Sequence, residues 1–477
     1  MNRREFLKAA AAAPLLLNLP AGADDLIPWC ASGDVSVGKA RLAVGGLGSG
    51  DLQVEWSSGS SGGKVQGTRA VFRSDFTAQA PLDNLPSDSL INYRASIGKN
   101  QIDGTFRTPP RHADQTVTFL WGGDVVGQGW GIDPAHGGML TFDSMAKEKP
   151  HFFIHCGDSI YADDPLPKTV EKRALTWKNV MTPAKSKVAE NLTDFYGNYR
   201  YNFLDTHYRE FFSQVPVIAQ WDDHEVLNNW NPTEHTKLAE PASKAFAAYW
   251  PMRLQTNNLF YRKISYGPNL DVFVLDLRSH RAPNSENRQP KPSTETALLG
   301  RRQLDWLKQG LKSSSATWKV IAGEMPIAPL SPQYGLDSWA NGDGPPLGRE
   351  LELAELLSFG KNQRIQNLIW LAADVHYAAA YHFHPERAVW KDFLPFWEFI
   401  AGPLHAGTFA PTQAPDPTFG PKEVFLGVPR DLPPNRPPSD NLQFYGKMKV
   451  TRTHLEVSLH QRLGRQIYSV EIPSTAG

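Results

Sequence analysis

The chain has 477 residues, too many for one small domain and enough for two or three. Apolar residues make up 41% and charged residues 21%, the proportions of an ordinary globular protein rather than a disordered or fibrous one. Basic and acidic residues balance at 49 each, which excludes a nucleic-acid stripe or a strongly polyanion-steering surface.

The N-terminus, "MNRREFLKAAAAAPLLLNLPAGADD", has a charged start, a short apolar run and the small residues Ala21-Gly22-Ala23. Arg3-Arg4 followed by Phe6, Leu7 and Lys8 resembles a twin-arginine export signal, with an amphipathic helix as the plainer alternative. The expected signal covers residues 1–23, and nothing later reads as a membrane span. From Asp24 to Arg111 the runs "LQVEW", "TRAVFR", "INYRASI" and "DGTFRT" read as strands, separated by "SSGSSGGK" and "DNLPSDS". This predicts a small all-β sandwich over 24–111, ending in the linker "RTPPRHADQ".

The pattern then changes. "TVTFLW", "HFFIHC", "VPVIAQ", "LDVFVLD", "TWKVIAG" and "NLIWLAA" are continuous apolar runs, as expected of strands covered on both faces. "ALLGRRQLDWLKQGLKSS" predicts an amphipathic helix with Gly300, Leu304, Leu307 and Leu311 on one face. Strands alternating with helices predict an α/β domain over 112–477. Residues 409–443 are Pro-rich and predict an irregular surface loop, and "KMKVTRTHLEVSLHQRLGRQIYSVEIP" predicts closing strands. The only cysteines are Cys30 and Cys156, so a disulfide framework and a thiolate zinc site are excluded; Cys156, inside an apolar run, reads as a buried free thiol.

Each apolar run ends in chemistry. Asp124, Asp158 and Tyr161, Asp222-Asp223-His224-Glu225, Arg278 and Arg281, Glu324, and Asp374 with His376 follow the six runs in turn. If the strands share one sheet, these groups converge beyond its carboxyl edge. Taken singly, each has a simple explanation. A Gly-Asp after a strand is usually a turn, Asp222 or Asp223 suits a helix cap with Glu225 in the first turn, and His376 suits a satisfied core histidine. Together they point to bound cations, because clustered carboxylates repel. Hard oxygen donors with imidazole favour Fe³⁺, Mn²⁺ or Ca²⁺ over structural zinc, and a Tyr ligand favours Fe³⁺.

The ordered set "GGDVVGQGWG", "GDSIY", "WDDHE", "DLRSHR", "GEMPIA" and "AADVHYA" resembles the PhoD-like alkaline phosphatases and phosphodiesterases, within the calcineurin-like metallophosphoesterases. The resemblance spans nearly the whole chain. It implies two central β-sheets flanked by helices, preceded by an Ig-like β-sandwich. It implies metal ligation by Asp124, Asp158, Tyr161, Asp223, Asp374 and His376, with Asp158 bridging two ions. His224 would touch phosphate and help the leaving group. Arg278 and Arg281 are expected to hold phosphate oxygens, with an ion pair to Asp276 or surface exposure as the alternative. The expected ions are Fe³⁺ and Ca²⁺, with Mn²⁺ or Zn²⁺ as alternatives at the second site. The family pattern has a Cys at the first-ligand position, where this chain has Asp124, as purple acid phosphatases do. The superfamily's separate His ligand has no clear counterpart; Glu324 stands in that region and reads as support behind a ligand. His405, in "AGPLHAGTF", either touches the site or packs.

The expected function is a secreted phosphoesterase acting on small phosphate esters. It would be exported by the twin-arginine machinery to the periplasm or beyond, with no nucleic-acid module and no membrane span. The alternatives are a diesterase specialised for lipid or nucleotide substrates, and, from another class, a decayed extracellular binding protein.

Overall fold

The structure, a computed structural model, describes residues 26–172, 175–253, 260–330 and 337–475. The expected export signal lies outside them. The six apolar runs are all strands, but they divide between two sheets. Val117–Gly122, Phe152–Cys156 and Val217–Gln220 lie side by side and parallel in a nine-stranded sheet. Leu270–Val274, Trp318–Ala322 and Leu368–Ala372 do the same in a seven-stranded sheet. The two central sheets that the resemblance implies are present, so the strand ends do not share a single edge. The polar strand ends meet across a seam between two packed sheets.

The packing explains the continuous apolar runs. Every residue of Phe152–Cys156 and of Leu270–Val274 is buried. The inner faces meet directly, with Trp121 edge-on to Phe399 at 6.4 Å. Gln220 is the polar exception on the inner face. Its Nε2 donates to the carbonyls of Leu275 (3.2 Å) and Ala322 (2.8 Å), tying one sheet to the other just below the site. On the outer side of the nine-stranded sheet, Phe153 packs against Phe211 of the helix Thr206–Gln214. On the outer side of the other, Phe273 lies under Gly310 of the helix Gly300–Ser313.

That helix buries Leu304, Leu307 and Leu311 as expected, but Gln303 rather than Gly300 completes the face. Gln303 Nε2 donates to the Asp276 carbonyl and its Oε1 accepts from the Asp276 amide. Gly300, with φ of 70°, instead turns the chain into the helix.

The N-terminal region is all β. Four strands, Gly50–Ser58, Ser61–Ala70, Leu90–Ile97 and Asn100–Arg107, form one sheet. Trp29–Ser36, Lys39–Gly45 and Ala78–Asp83 pack over it and continue the nine-stranded sheet, joined to Val217–Gln220 by the single pair Gly33–Val217. "TRAVFR" is a strand only to Ala70; Phe72–Ser74 is a 3₁₀ turn, and Asp75 and Phe76 take positive φ. The tail forms Phe444–Val450, His454–Gln461 and Gln466–Pro473, as expected, and closes the nine-stranded sheet. The Pro-rich stretch is not wholly irregular, since Pro421–Leu426 pairs with Ala379–Phe383 in the other sheet.

Candidate metal centre

At the seam, three of the six strands stop by turning sharply on residues expected to carry chemistry. Asp124 (φ 68°), Asp158 (50°), Asp374 (65°) and His376 (61°) all sit in the left-handed region. Such a backbone costs a non-glycine residue roughly 1–3 kcal/mol and persists only where surroundings enforce it. Gly157 shows the crowding, for it has φ of 92° and a Cβ there would strike Asp222 Cβ.

Three overlapping groups result, each with ligand atoms within 4.8 Å of one another. They are Asp124, Asp158 and His376; Asp158, Asp223 and His224; and Asp222, Asp223 and Asp374. Asp158 and Asp223 each belong to two of them, and Asp158 links the group containing His376 to the rest, the position a bridging carboxylate needs. Tyr161 joins the first group, with its hydroxyl 2.7 Å from His376 Nε2. His376 Nδ1 lies 2.5 Å from the Gly407 carbonyl, which places the proton on Nδ1 and leaves the Nε2 lone pair facing Tyr161 and Asp124. All six expected ligands are therefore brought together.

The electrostatics follow from burial. Asp124, Asp158 and Asp374 are pushed well above the usual carboxylate range, first by burial and then by Asp222 and Asp223. Burial also raises Asp222, to about 6 against the pull of Arg278. Asp223 is equally buried, but Arg278 and His224 hold it below the usual range. Both oxygens of Asp124 are buried without a hydrogen-bond partner. Unpaired carboxylate oxygens in such a place are costly, and a cation satisfies them. The expected ligand set, carboxylates with one imidazole and one phenol, suits hard ions.

His224 is held at two points. Its amide donates to Asp158 Oδ1 (3.2 Å) and Asp223 Oδ1 (3.0 Å), and its Nδ1 lies 2.7 Å from Asp163 Oδ1. Burial alone would lower its pKa, but Asp163 and Asp223 override this and raise it to about 10. Its ring stacks on Tyr161 at 4.1 Å.

Support comes from behind. Glu225 accepts the amides of Asp158, Ser159 and Asp222 and the Ser159 hydroxyl, binding two ligand loops together. Glu324 accepts the Leu277 amide, and its own carbonyl receives the amide of Ala373, next to Asp374. Lys185, fully buried, donates Nζ to the Tyr161 carbonyl at 2.7 Å.

Arg278 and Arg281 differ from expectation. Neither forms the expected open phosphate clamp, and neither pairs its guanidinium with Asp276, whose Oδ1 accepts the Arg278 and Ser279 amides and the Trp221 indole. Arg278 is fully buried, with Nε on Asp222 (2.6 Å) and Nη1 on Asp337 (2.5 Å). Arg281 pairs with Asp337 and donates to Asn284. His405 packs rather than facing the centre. Its Nε2 lies 2.9 Å from the Gly131 carbonyl, while its backbone amide braces the Asp124 carbonyl at 3.0 Å. Asp163, Lys185 and Asp337 escaped the sequence reading. Asp163 carried one usable signal, a carboxylate two residues past Tyr161 in "YADD".

Comparison with solved structures places the fold. The structure of PhoD aligns with a TM-score of 0.70 over 96% of this chain and 94% of that one, at 20% identity. A purple acid phosphatase from yellow lupin (Lupinus luteus) seeds aligns with a TM-score of 0.60 over 94% of this chain and 74% of its own, at 13% identity. Alkaline phosphatase D of Bacillus subtilis (strain 168) is 30% identical over 298 residues, 57% of this chain. The match spans about half, 49%, of that relative's length. The model of the PhoD-like phosphatase family matches residues 119–459, well over half of the chain and every strand that ends at the centre, and the chain belongs to that family.

Proposed function

We propose that the chain is a metal-dependent phosphoesterase that hydrolyses small phosphate esters at the seam between its two sheets. One observation carries the reading. Asp124, Asp158, Asp223, Asp374 and His376 converge from both sheets in a cluster that is buried except at the part-exposed Asp374, and its carboxylates cannot all ionise without cations. Tyr161, Asp124, Asp158 and His376 would hold one ion, with Fe³⁺ suited to the phenol, and Asp158, Asp223 and Asp374 the other, with Ca²⁺ suited to the carboxylates. Mn²⁺ and Zn²⁺ are alternatives at the second site. When bound, the ions supply Lewis acidity toward phosphate oxygens and lower the pKa of a water.

The chain's own residues do the rest. His224 presents Nε2 to the substrate, because Asp163 occupies Nδ1 and favours the protonated ring. In that state it donates a proton to the leaving alkoxide. Tyr161 stacks under the imidazole and fixes its plane. Arg278 stabilises the arrangement through Asp222 rather than gripping substrate.

The reading includes export by the twin-arginine route through residues 1–23, and an N-terminal β unit ending near residue 111. Among the described residues, no helix is long and apolar enough to cross a membrane. The test compares a chromogenic phosphomonoester with the matching diester, with and without chelator, in wild type and in Asp158→Ala. Loss of turnover by orders of magnitude in the variant and under chelation is expected. Wild-type turnover by Asp158→Ala sinks the reading. A preference for the diester shifts it to a diesterase, and a chain that retains no metal fits a binding protein instead.

A further inference from the structure

The two halves of the centre differ in one respect. Among the described residues, no Lys or Arg nitrogen comes within ion-pair distance of Asp124 or Asp158, whereas the second group has a guanidinium built into its wall. Arg278 Nη2 lies 3.7 Å from Asp223 Oδ2 and 3.9 Å from Asp374 Oδ1. It is the one nitrogen of that side chain buried without a hydrogen-bond partner. The other two nitrogens are fixed by Asp222 and Asp337, so the planar group cannot swing away. Asp337 is itself shared with Arg281. A permanent positive charge is therefore clamped about one ion-pair length from two carboxylates of the second site.

We propose that Arg278 is an internal counter-ion that weakens the second cation site, so that the centre retains one ion tightly and exchanges the other. The inference rests on the proposed metal centre and adds which half of it is labile and why. A fixed charge at this distance in a buried setting opposes a second cation strongly, since screening there is weak. Asp337 moderates the effect by neutralising part of the guanidinium charge. Arg278 and Asp337 are thus opposing controls on one affinity, although neither is placed as a ligand.

The test uses the full chain stripped with chelator. The stripped chain is reloaded with Fe³⁺, Ca²⁺ is then titrated calorimetrically, and ions surviving gel filtration are counted by elemental analysis. Wild type should show one tight and one weak site. Arg278→Met should tighten the weak site about tenfold or more, and Arg278→Lys, which keeps the charge, should leave it near wild type. Asp337→Asn, which leaves Arg278 less compensated, should weaken it by a similar factor while sparing the tight site. Opposite directions for Arg278→Met and Asp337→Asn separate this role from a structural one, because loss of folding weakens both. Should Arg278→Met fail to fold, Asp337→Asn and Arg278→Lys carry the test through circular dichroism and the same titration. The proposal is overturned if Asp337→Asn binds the second ion as tightly as wild type, or if Arg278→Met folds and binds it no tighter. A wild-type chain that takes up no ion at all refutes the metal centre itself.

Discussion

Asp163 Oδ1 lies 2.7 Å from His224 Nδ1, and its other oxygen receives the Asn228 amide, also at 2.7 Å. The carboxylate is anchored on one side and orients the imidazole on the other. Asp163→Asn keeps the shape but removes the charge. Turnover should fall about 10–100-fold, with KM and metal content near wild type. Steady-state kinetics alongside elemental analysis checks this. Loss of metal would show that Asp163 supports the ligand loop rather than the histidine.

Glu225 gathers three amides and a hydroxyl from two loops in a fully buried position. Glu225→Gln turns an amino group toward donors that need an acceptor. The expected cost is about 2–3 kcal/mol, read as a lowered urea midpoint in the metal-free protein. Weakened binding of both ions should accompany it. An unchanged midpoint would mean that the loops hold their shape without this tie.

A Cβ at Gly402 would collide with Asp124 Oδ2, while Gly402 itself has no side chain to offer as a ligand. Gly402→Ala should displace that carboxylate. Activity should drop about 100-fold or more, together with the occupancy of the Asp124–His376 half of the centre. The same substitution at Gly360, which has open space around it, is the control and should be silent.

His155 lies between Phe153 and Trp250 on the strand leading to Asp158, and burial pushes its pKa down to about 3. In the unfolded chain it titrates near 6.5. The unfolded state thus binds a proton that the folded state refuses. Stability falls as pH drops below about 6.5, and the loss levels off near 3. At pH 5 the contribution is about 2 kcal/mol. Urea midpoints at pH 7 and pH 5 should converge more closely in His155→Leu than in wild type. An equal pH dependence in the two would locate the acid sensitivity elsewhere.

The centre was legible because its signals are local. "HFFIHC" followed by Gly-Asp, or "NLIWLAA" followed by Asp-Val-His, announces a doubly covered strand and then a polar turn within ten residues. Partition between sheets was not legible, since burial on both faces looks the same in either sheet. Gln220 is the residue that marks the interface, and in sequence it is only one polar residue at a strand end. The Arg278 ion pairs were missed for a related reason. Asp222 and Asp337 lie 56 and 59 residues away, and no periodicity links them. "TRAVFR" failed at Val71 because β-branched and aromatic residues favour strands wherever they occur, while the turn is set by Asp75 and Phe76 in left-handed backbone.

The seam has a consequence for biosynthesis. Asp124, Asp158 and Asp223 leave one sheet, and Asp374 and His376 leave the other, so a nascent chain stopped before Leu368 holds only part of the ligand set. At the proposed centre, the full ligand set would then form only when the two sheets dock. On the proposed reading, metal stoichiometry would serve as a maturation marker, separating finished molecules from those that are compact but incorrectly assembled.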